Sequence, residues 1–151
     1  MPVVSVRQAV LSDLEVLTPL FDGYRQFYGR SPDLPAAECF LRARFNHGES
    51  VVFLAHTETG PVGFTQLYPA FCSVLAAKTF VLYDLFVTPA ARGTGAGRAL
   101  MEAAEAHGRN AGAARLELST ANTNVIGQSL YESCGWVRDN VFYVYQKSLR
   151  D

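Results

Sequence analysis

A strongly apolar strand that runs into a glycine-rich loop and an amphipathic helix constrains the fold of this chain more than any other feature. The segment Phe80–Val87 contains a single charged residue, Asp84, as is typical of a strand buried on both faces of a sheet. Glycines alternate with other residues over positions 93–97, and helical spacing then covers positions 97–109. Because a strand-helix-strand unit of this kind makes its two strands parallel, we expect a parallel partner strand at positions 115–119.

The remaining patterns complete an element order of β-α-α-β-β-β-α-β-α-β. The segment Ser12-Asp13-Leu14-Glu15 resembles a capping box and predicts that the first helix begins near Asp13. Period-two spacing over Val51–Ala55 and Val62–Leu67 predicts a β-hairpin, and Trp136–Gln146 predicts the last strand. At 151 residues, 49% of them apolar, the chain can bury one core. The predicted fold class is therefore α/β, a single domain over residues 1–151 with a mixed sheet flanked by helices.

Charge and residue spacing exclude several classes of partner. Thirteen basic and fourteen acidic residues give a net charge of −1, so we expect no attraction to nucleic acid or to an anionic membrane. No apolar run approaches the roughly 18 residues that span a bilayer, and the first residues do not resemble a signal peptide, which predicts a cytoplasmic protein. The three cysteines and three histidines lack zinc-ligand spacing, so no metal is expected.

The glycine loop has the composition of an anion-binding site. Its glycines let successive backbone N–H groups turn toward one point, and the helix that follows adds the positive end of its dipole. Arg92 and Arg98 flank the loop and can pair with phosphate oxygens. The dinucleotide pattern G-x-G-x-x-G and the P-loop pattern both fail here. The pattern that fits is R-x-x-G-x-G, formed by Arg92, Gly95 and Gly97.

With that motif, the sequence resembles the GNAT superfamily of N-acetyltransferases, whose coenzyme A pyrophosphate loop carries Q/R-x-x-G-x-G/A. A second segment, residues 124–136, resembles the closing N-x-x-A-x-x-x-Y-x-x-x-G-F of the superfamily, with Gly127 in place of alanine and Trp136 in place of phenylalanine. The resemblance implies the GNAT fold, with a mostly antiparallel sheet in which the fourth and fifth strands splay apart. It also implies acetyl-CoA as cosubstrate, bound by Leu85, Phe86, Val87, Arg92, Gly93, Thr94, Gly95, Ala96, Gly97, Arg98 and Asn124.

Two catalytic residues are predicted, Tyr131 from the same resemblance and Asp84 from its place in the apolar strand. Tyr131 is implied to be the general acid that protonates the departing thiolate, and the alternative is a tyrosine that packs beneath the last strands. Asp84, alone in its apolar strand, must find partners or lie at an opening. Desolvation would raise its pKa and suit it to act as a base, and the alternative is a hydrogen-bonded structural carboxylate. No cysteine stands beside a histidine as a nucleophile, so direct attack by the amine in a ternary complex is expected.

The acceptor is expected to be a primary amine of a small molecule, such as a polyamine or an amino acid. The segments 63–69 and 83–87 look most like the diamine and thialysine acetyltransferases and the histone/polyamine relatives, although Tyr83 stands where the diamine enzymes have glutamate. Weak candidates for acceptor binding are Tyr24, Tyr28, Asp33 and Tyr83. Two alternatives are a protein or histone N-acetyltransferase and a non-catalytic acyl-CoA sensor. The resemblance also favours a homodimer, in which the segment Val141–Tyr145 could pair across the interface or complete the chain's own sheet.

Overall fold

The computed structural model describes residues 2–150, which form two compact units, residues 2–119 and residues 120–150. The first unit contains five strands and three helices in the order β1 (Ser5–Gln8), α1 (Leu14–Phe27), α2 (Leu34–His47), β2 (Val51–Thr57), β3 (Gly60–Cys72), β4 (Ala77–Val87), α3 (Ala96–Asn110) and β5 (Leu116–Glu117). The second unit contains the helix α4 (Val125–Ser133). The single-domain expectation stays a prediction.

The five strands form one mixed sheet in the order β1-β2-β3-β4-β5. The first four strands pair antiparallel, and β4 and β5 are parallel, which confirms the predicted mixture. Within the described residues, β5 pairs with β4 only at Phe80–Leu116 and Val81–Glu117. The rest of β4, residues 82–87, therefore continues past β5 without a ladder partner on that side. This short contact agrees with the predicted splaying of the fourth and fifth strands.

Both faces of the sheet are covered, because alternate residues of a strand point to opposite faces. On one face, Leu17 of α1 and Leu41 of α2 join a core cluster with Val52, Leu54 and Phe64 of the sheet. On the other face, α3 buries Leu100, Met101 and Ala104, and its His107 ring lies 5.7 Å from Phe53 and 5.3 Å from Phe80. Asp84, one of the two predicted catalytic residues, lies on β4, which runs between these helical layers.

The first helix begins near Asp13 as predicted, but its cap differs from the prediction. Residues Leu11–Asp13 form a short 3₁₀ turn, and α1 starts at Leu14. The carboxylate of Asp13 accepts a hydrogen bond from the backbone N–H of Val10 at 2.8 Å and forms an ion pair with Arg7 at 2.7 Å. The predicted capping box was wrong because the acidic side chain of Asp13, rather than the hydroxyl of Ser12, satisfies the N–H at this turn.

The predicted last strand, Trp136–Gln146, is absent from the second unit, where residues 134–150 form no strand. Its apolar side chains are exposed: Val141, Phe142, Tyr143, Val144 and Tyr145 all have at least 79% of their surface accessible. The predicted strand at 115–119 also shortens to Leu116–Glu117. Both differences have one physical reason: a segment of high β-propensity forms a strand only where the edge of a neighbouring strand supplies hydrogen-bond partners.

Candidate active site

A β-bulge in β4 places the candidate base. Gln66 of β3 lies opposite Asp84, but the next residue, Leu67, lies opposite Leu82. Tyr83 is therefore an extra residue with no partner on β3. Bulges of this kind bend a strand and re-aim its side chains, and they are frequent next to active sites. Here the bulge leaves the ring of Tyr83 exposed and Asp84 buried.

Asp84 is a buried carboxylate held by one neighbouring amide. Only 2% of its surface is accessible, and its Oδ2 accepts a hydrogen bond from Gln66 Nε2 at 2.6 Å. Burial raises the pKa of Asp84 to about 7, while the Gln66 amide and the nearby Tyr24 hydroxyl act in the opposite direction. At neutral pH this carboxyl group exists in both protonation states, as a general base or acid requires.

Four tyrosines surround this carboxyl group, and we call Tyr24, Tyr28, Tyr68 and Tyr83 the tyrosine cluster. The Tyr24 and Tyr28 rings are 5.1 Å apart, and the Tyr68 and Tyr83 rings are 5.5 Å apart. The two pairs are linked because the hydroxyl of Tyr24 donates a hydrogen bond to the backbone oxygen of Tyr83 at 3.0 Å. Helix α1 is thereby tied to the bulge in β4.

The charge of Asp84 acts on three members of the cluster. Burial, followed by the negative charge of Asp84, raises the pKa of Tyr24, Tyr28 and Tyr68 above the ordinary value of a phenol. These hydroxyls therefore stay protonated at neutral pH and act as neutral hydrogen-bond donors and acceptors. Tyr28 and Tyr83 expose 50% and 63% of their surface, so the cluster has an open side.

The strand end that follows Asp84 is packed unusually closely. A Cβ atom on Gly63 of β3 would lie 2.6 Å from the backbone oxygen of Phe86, and one on Gly23 of α1 would lie 2.9 Å from the Phe86 ring. Glycine at these two positions lets β3 and α1 approach residues 85–87. The backbone of the predicted thioester-binding segment, Leu85, Phe86 and Val87, is therefore fixed by its neighbours.

The glycine loop has the geometry that its sequence predicted. Gly93 and Gly95 adopt left-handed backbone angles, with φ of +78° and +90°, which favour glycine. Gly95 is the N-cap residue of α3, and no side chain caps the first turn of this helix in the described structure. Uncapped N–H groups at the start of a 15-residue helix form an anion-binding end. The loop thus fits a pyrophosphate, as expected for the segment from Gly93 to Arg98.

Arg92 has a structural contact that the sequence did not predict. Its Nε donates to the backbone oxygen of Val87 at 3.0 Å, and its guanidinium lies 5.9 Å from the centre of the Phe86 ring. This arginine ties the glycine loop to the end of β4. Thr94 adds a second tie inside the loop, because its hydroxyl donates to Ala91 O at 2.6 Å.

In the second unit, Asn124 is the N-cap of α4. Its Oδ1 accepts from Gly127 N at 3.1 Å, and its Nδ2 donates to Thr120 Oγ1 at 3.0 Å. Tyr131 lies two turns later on the same helix, partly buried, with its ring 6.5 Å from that of Trp136. The coenzyme role of Asn124 and the acid role of Tyr131 both stay predictions.

The weak acceptor candidates separate into two groups. Tyr24, Tyr28 and Tyr83 come together around Asp84, whereas the carboxylate of Asp33 caps α2 by accepting from Ala36 N at 3.1 Å. Sequence reasoning missed Gln66, whose place opposite Asp84 depends on the bulge, and Tyr68, which contacts Tyr83. For Gln66, the available signal was a polar side chain inside the apolar run of β3.

Comparison with known proteins places this arrangement in a family. Residues 17–136 match the acetyltransferase (GNAT) family. The chain belongs to that family. A Bacillus subtilis (strain 168) protein named "Uncharacterized N-acetyltransferase YhfO" is 44% identical over 141 residues, which cover 93% of this chain and 95% of that protein.

Solved structures agree with the family. A crystal structure of "a probable acetyltransferase" has a TM-score of 0.91 and 34% identity, and covers 97% of this chain and 99% of that one. The aminoglycoside N-acetyltransferase AAC(6')-Iy in complex with CoA has a TM-score of 0.80 at 20% identity, with 97% and 96% covered, and therefore shares the fold. As a GNAT member, the chain is an acetyltransferase, and acetyl-CoA is the acetyl donor of this family.

None of the helices within residues 2–150 is long and apolar enough to cross a membrane. The histidine, cysteine and acidic side chains of these residues form no group of three or more that could hold a metal ion.

Proposed function

We propose that this GNAT protein transfers the acetyl group of acetyl-CoA to a primary amine of a small molecule, by direct attack in a ternary complex. The observation that carries the proposal is the buried Asp84, whose pKa is raised to about 7 beside a partly open tyrosine cluster. A group with this pKa can take a proton from an ammonium ion near neutral pH, which unmasks the amine. Polyamines and amino acids belong to the proposed class of acceptor.

The chain's own backbone would hold the coenzyme. The N–H groups of Gly93 to Arg98 would bind the pyrophosphate, because the loop geometry and the start of α3 present them together. Bound acetyl-CoA supplies an acetyl group activated as a thioester. A backbone N–H near Phe86 or Val87 would polarise the acetyl carbonyl, and the close packing at Gly63 keeps that segment in place.

Two side chains would move the protons. Asp84, directly or through a water molecule, takes the first proton from the ammonium ion and releases it to solvent. It then takes the second proton, which the nitrogen loses as the N–C bond forms. Tyr131 donates its hydroxyl proton to sulfur as the C–S bond breaks, and it regains a proton from solvent. A phenol suits this role because its ordinary pKa of about 10 is close to that of an alkyl thiol.

The base role predicts the pH dependence of the Asp84→Asn variant. Among the described residues, Gln66 and the tyrosine cluster face Asp84, and the raised pKa values of Tyr24, Tyr28 and Tyr68 keep these three phenols protonated through pH 7. In the natural protein, kcat/KM should rise with pH through about 7 as Asp84 loses its proton. In the variant this acidic limb should be shifted or lost, and kcat/KM profiles over pH 5–9 measure it. An unaltered profile would remove Asp84 from the base role.

Stability supplies an independent readout for the same variant. Because the folded-state pKa of Asp84 lies above its ordinary value of 3.8, the folded protein binds this proton more tightly than the unfolded chain does. The contribution of Asp84 to stability is therefore full below pH 4 and is lost as the pH rises toward 7. The free energy of unfolding of Asp84→Asn should not show this decrease between pH 4 and 7. Urea unfolding at a series of pH values measures it.

Thiol release tests the proposed reaction itself. Acetyl-CoA is incubated with the protein and a panel of small amines, polyamines, amino acids and a basic peptide. Release with a small amine supports the proposal. Thiol release only with the peptide favours a protein acetyltransferase. No thiol release with any amine, together with confirmed CoA binding, favours an acyl-CoA sensor.

Three further expectations stay predictions. The likeness to diamine, thialysine and histone/polyamine enzymes rests on the segments 63–69 and 83–87. The homodimer is supported by the exposed apolar segment Val141–Tyr145, since a chain of high β-propensity favours pairing with another strand. The cytoplasmic location rests on the sequence alone.

A further inference from the structure

We infer that the acceptor amine carries one positive charge on an apolar body, and that the tyrosine cluster together with Gln66 and Asp84 selects it. This inference rests on the proposed function and narrows its substrate class. It adds Tyr68 and Gln66 to the acceptor site, and it favours monoamines over polyamines.

The first step is an unused hydrogen-bond acceptor beside Asp84. Gln66 is fully buried, and its Oε1 has no hydrogen-bond partner among residues 2–150. Its Nε2, on the same amide group, donates to Asp84. A buried carbonyl oxygen without a partner is destabilising, and an N–H donor placed beside it would remove that destabilisation. An ammonium group has three such donors, so it can serve both Gln66 Oε1 and the Asp84 carboxylate.

The second step is the number of charges that the site can neutralise. Among the described carboxylates, Asp84 is the one whose charge acts on Tyr24, Tyr28 and Tyr68. Asp22, buried in α1, already accepts from Gln26 Nε2 at 2.9 Å and Asp33 N at 3.0 Å. Asp22 is therefore not left unpaired for a second ammonium group.

The other charged group that acts on the cluster is a cation. The positive charge of Arg44 lowers the pKa of Tyr68, against the effects of burial and Asp84. Its guanidinium lies 4.5 Å from the centre of the Phe40 ring and pairs with Glu49 at 3.2 Å. Because Glu49 is already paired, it offers no free charge to a second ammonium, and Arg44 would repel one.

The third step is the apolar and aromatic surface around the charge. Tyr28 and Tyr83 present half or more of their surface to solvent, and each packs against a more buried ring of the cluster. Aromatic faces attract an ammonium group, and their apolar area favours a hydrocarbon chain over a second hydrated charge. One carboxylate surrounded by four rings is therefore matched to a single ammonium on an apolar body.

Three ligands with the same six-carbon chain separate charge from apolar contact: hexylamine with one ammonium, hexamethylenediamine with two and hexanol with none. Their binding to the full chain in the presence of CoA is measured by calorimetry near pH 8, where Asp84 is ionised. We expect hexylamine to bind about tenfold or more tightly than either of the others. Equal or tighter binding of the diamine, or of the alcohol, would overturn the inference.

Substitutions at Tyr83 then test the ring itself. Tyr83→Leu should weaken hexylamine binding by about three- to thirtyfold, whereas Tyr83→Phe, which retains a ring, should change it little. The matched control is Phe71→Leu, an exposed aromatic on β3 that lies three residues past Tyr68 and so on the opposite face. Equal effects of Tyr83→Leu and Phe71→Leu would contradict the inference. Selective hexylamine binding without thiol release would overturn the proposed reaction and leave the charge selection standing.

Discussion

Replacing Tyr131 with phenylalanine is expected to lower the turnover of acetyl transfer by about tenfold or more, while the affinity for acetyl-CoA stays near that of the natural protein. The substitution removes one hydroxyl and keeps the ring that lies 6.5 Å from Trp136, so the packing of α4 should persist. If Tyr131 protonates the departing thiolate, its loss affects the chemical step and not the binding of the ground state. Steady-state kinetics with a saturating amine, together with CoA titration, separate the two.

The matched control for this substitution is Tyr143→Phe. Tyr143 is in the same unit, has 89% of its surface exposed, and has no proposed role in catalysis or coenzyme binding. Its variant should turn over at the natural rate. Unchanged turnover of Tyr131→Phe would refute the general-acid role, and an equal loss in both variants would point to an effect on the unit as a whole.

Replacing Gly63 with alanine is expected to reduce the free energy of unfolding by about 1–3 kcal/mol and to lower turnover as well. The added Cβ would lie 2.6 Å from Phe86 O and 3.2 Å from Val87 Cα, and both of these are backbone atoms. The strands can accept it only by moving apart at the segment whose N–H we propose polarises the thioester. Urea unfolding and steady-state kinetics measure the two effects.

Gly108→Ala is the control for the addition of a methyl group. Its Cβ would meet Leu116 Cδ2 at 3.1 Å, which is the end of a flexible side chain. Alanine also has a higher helix propensity than glycine inside α3, by about 1 kcal/mol. We expect this variant to be as stable as the natural protein or more so. Natural stability and turnover in Gly63→Ala would show that the close approach of β3 to β4 is dispensable.

The parts of the fold that sequence predicted well are those with strong local signals. The apolar run in β4, the glycine loop and the helical spacing of α3 all appear where expected, because each depends on residues close together in the chain. The predicted strand at 136–146 failed because its formation depends on a distant edge.

The candidate site was predictable only in its individual residues. Asp84 was singled out by its charge in an apolar strand, but its partner Gln66 depends on strand register, which one bulged residue at Tyr83 decides. The tyrosine cluster likewise joins residues 24 and 28 to residues 68 and 83, and no local pattern connects them.

The cap of α4 links two positions of the closing motif that would otherwise seem independent. A Cβ atom on Gly127 would collide with the Asn124 side chain, which folds back over the helix start to accept from Gly127 N. The alanine usual at this position in the family therefore requires the Asn124 side chain to shift from the conformation it has beside Gly127. We expect substitutions at positions 124 and 127 to have non-additive effects, so a library or ancestral reconstruction that varies one of them should vary the other in the same clone.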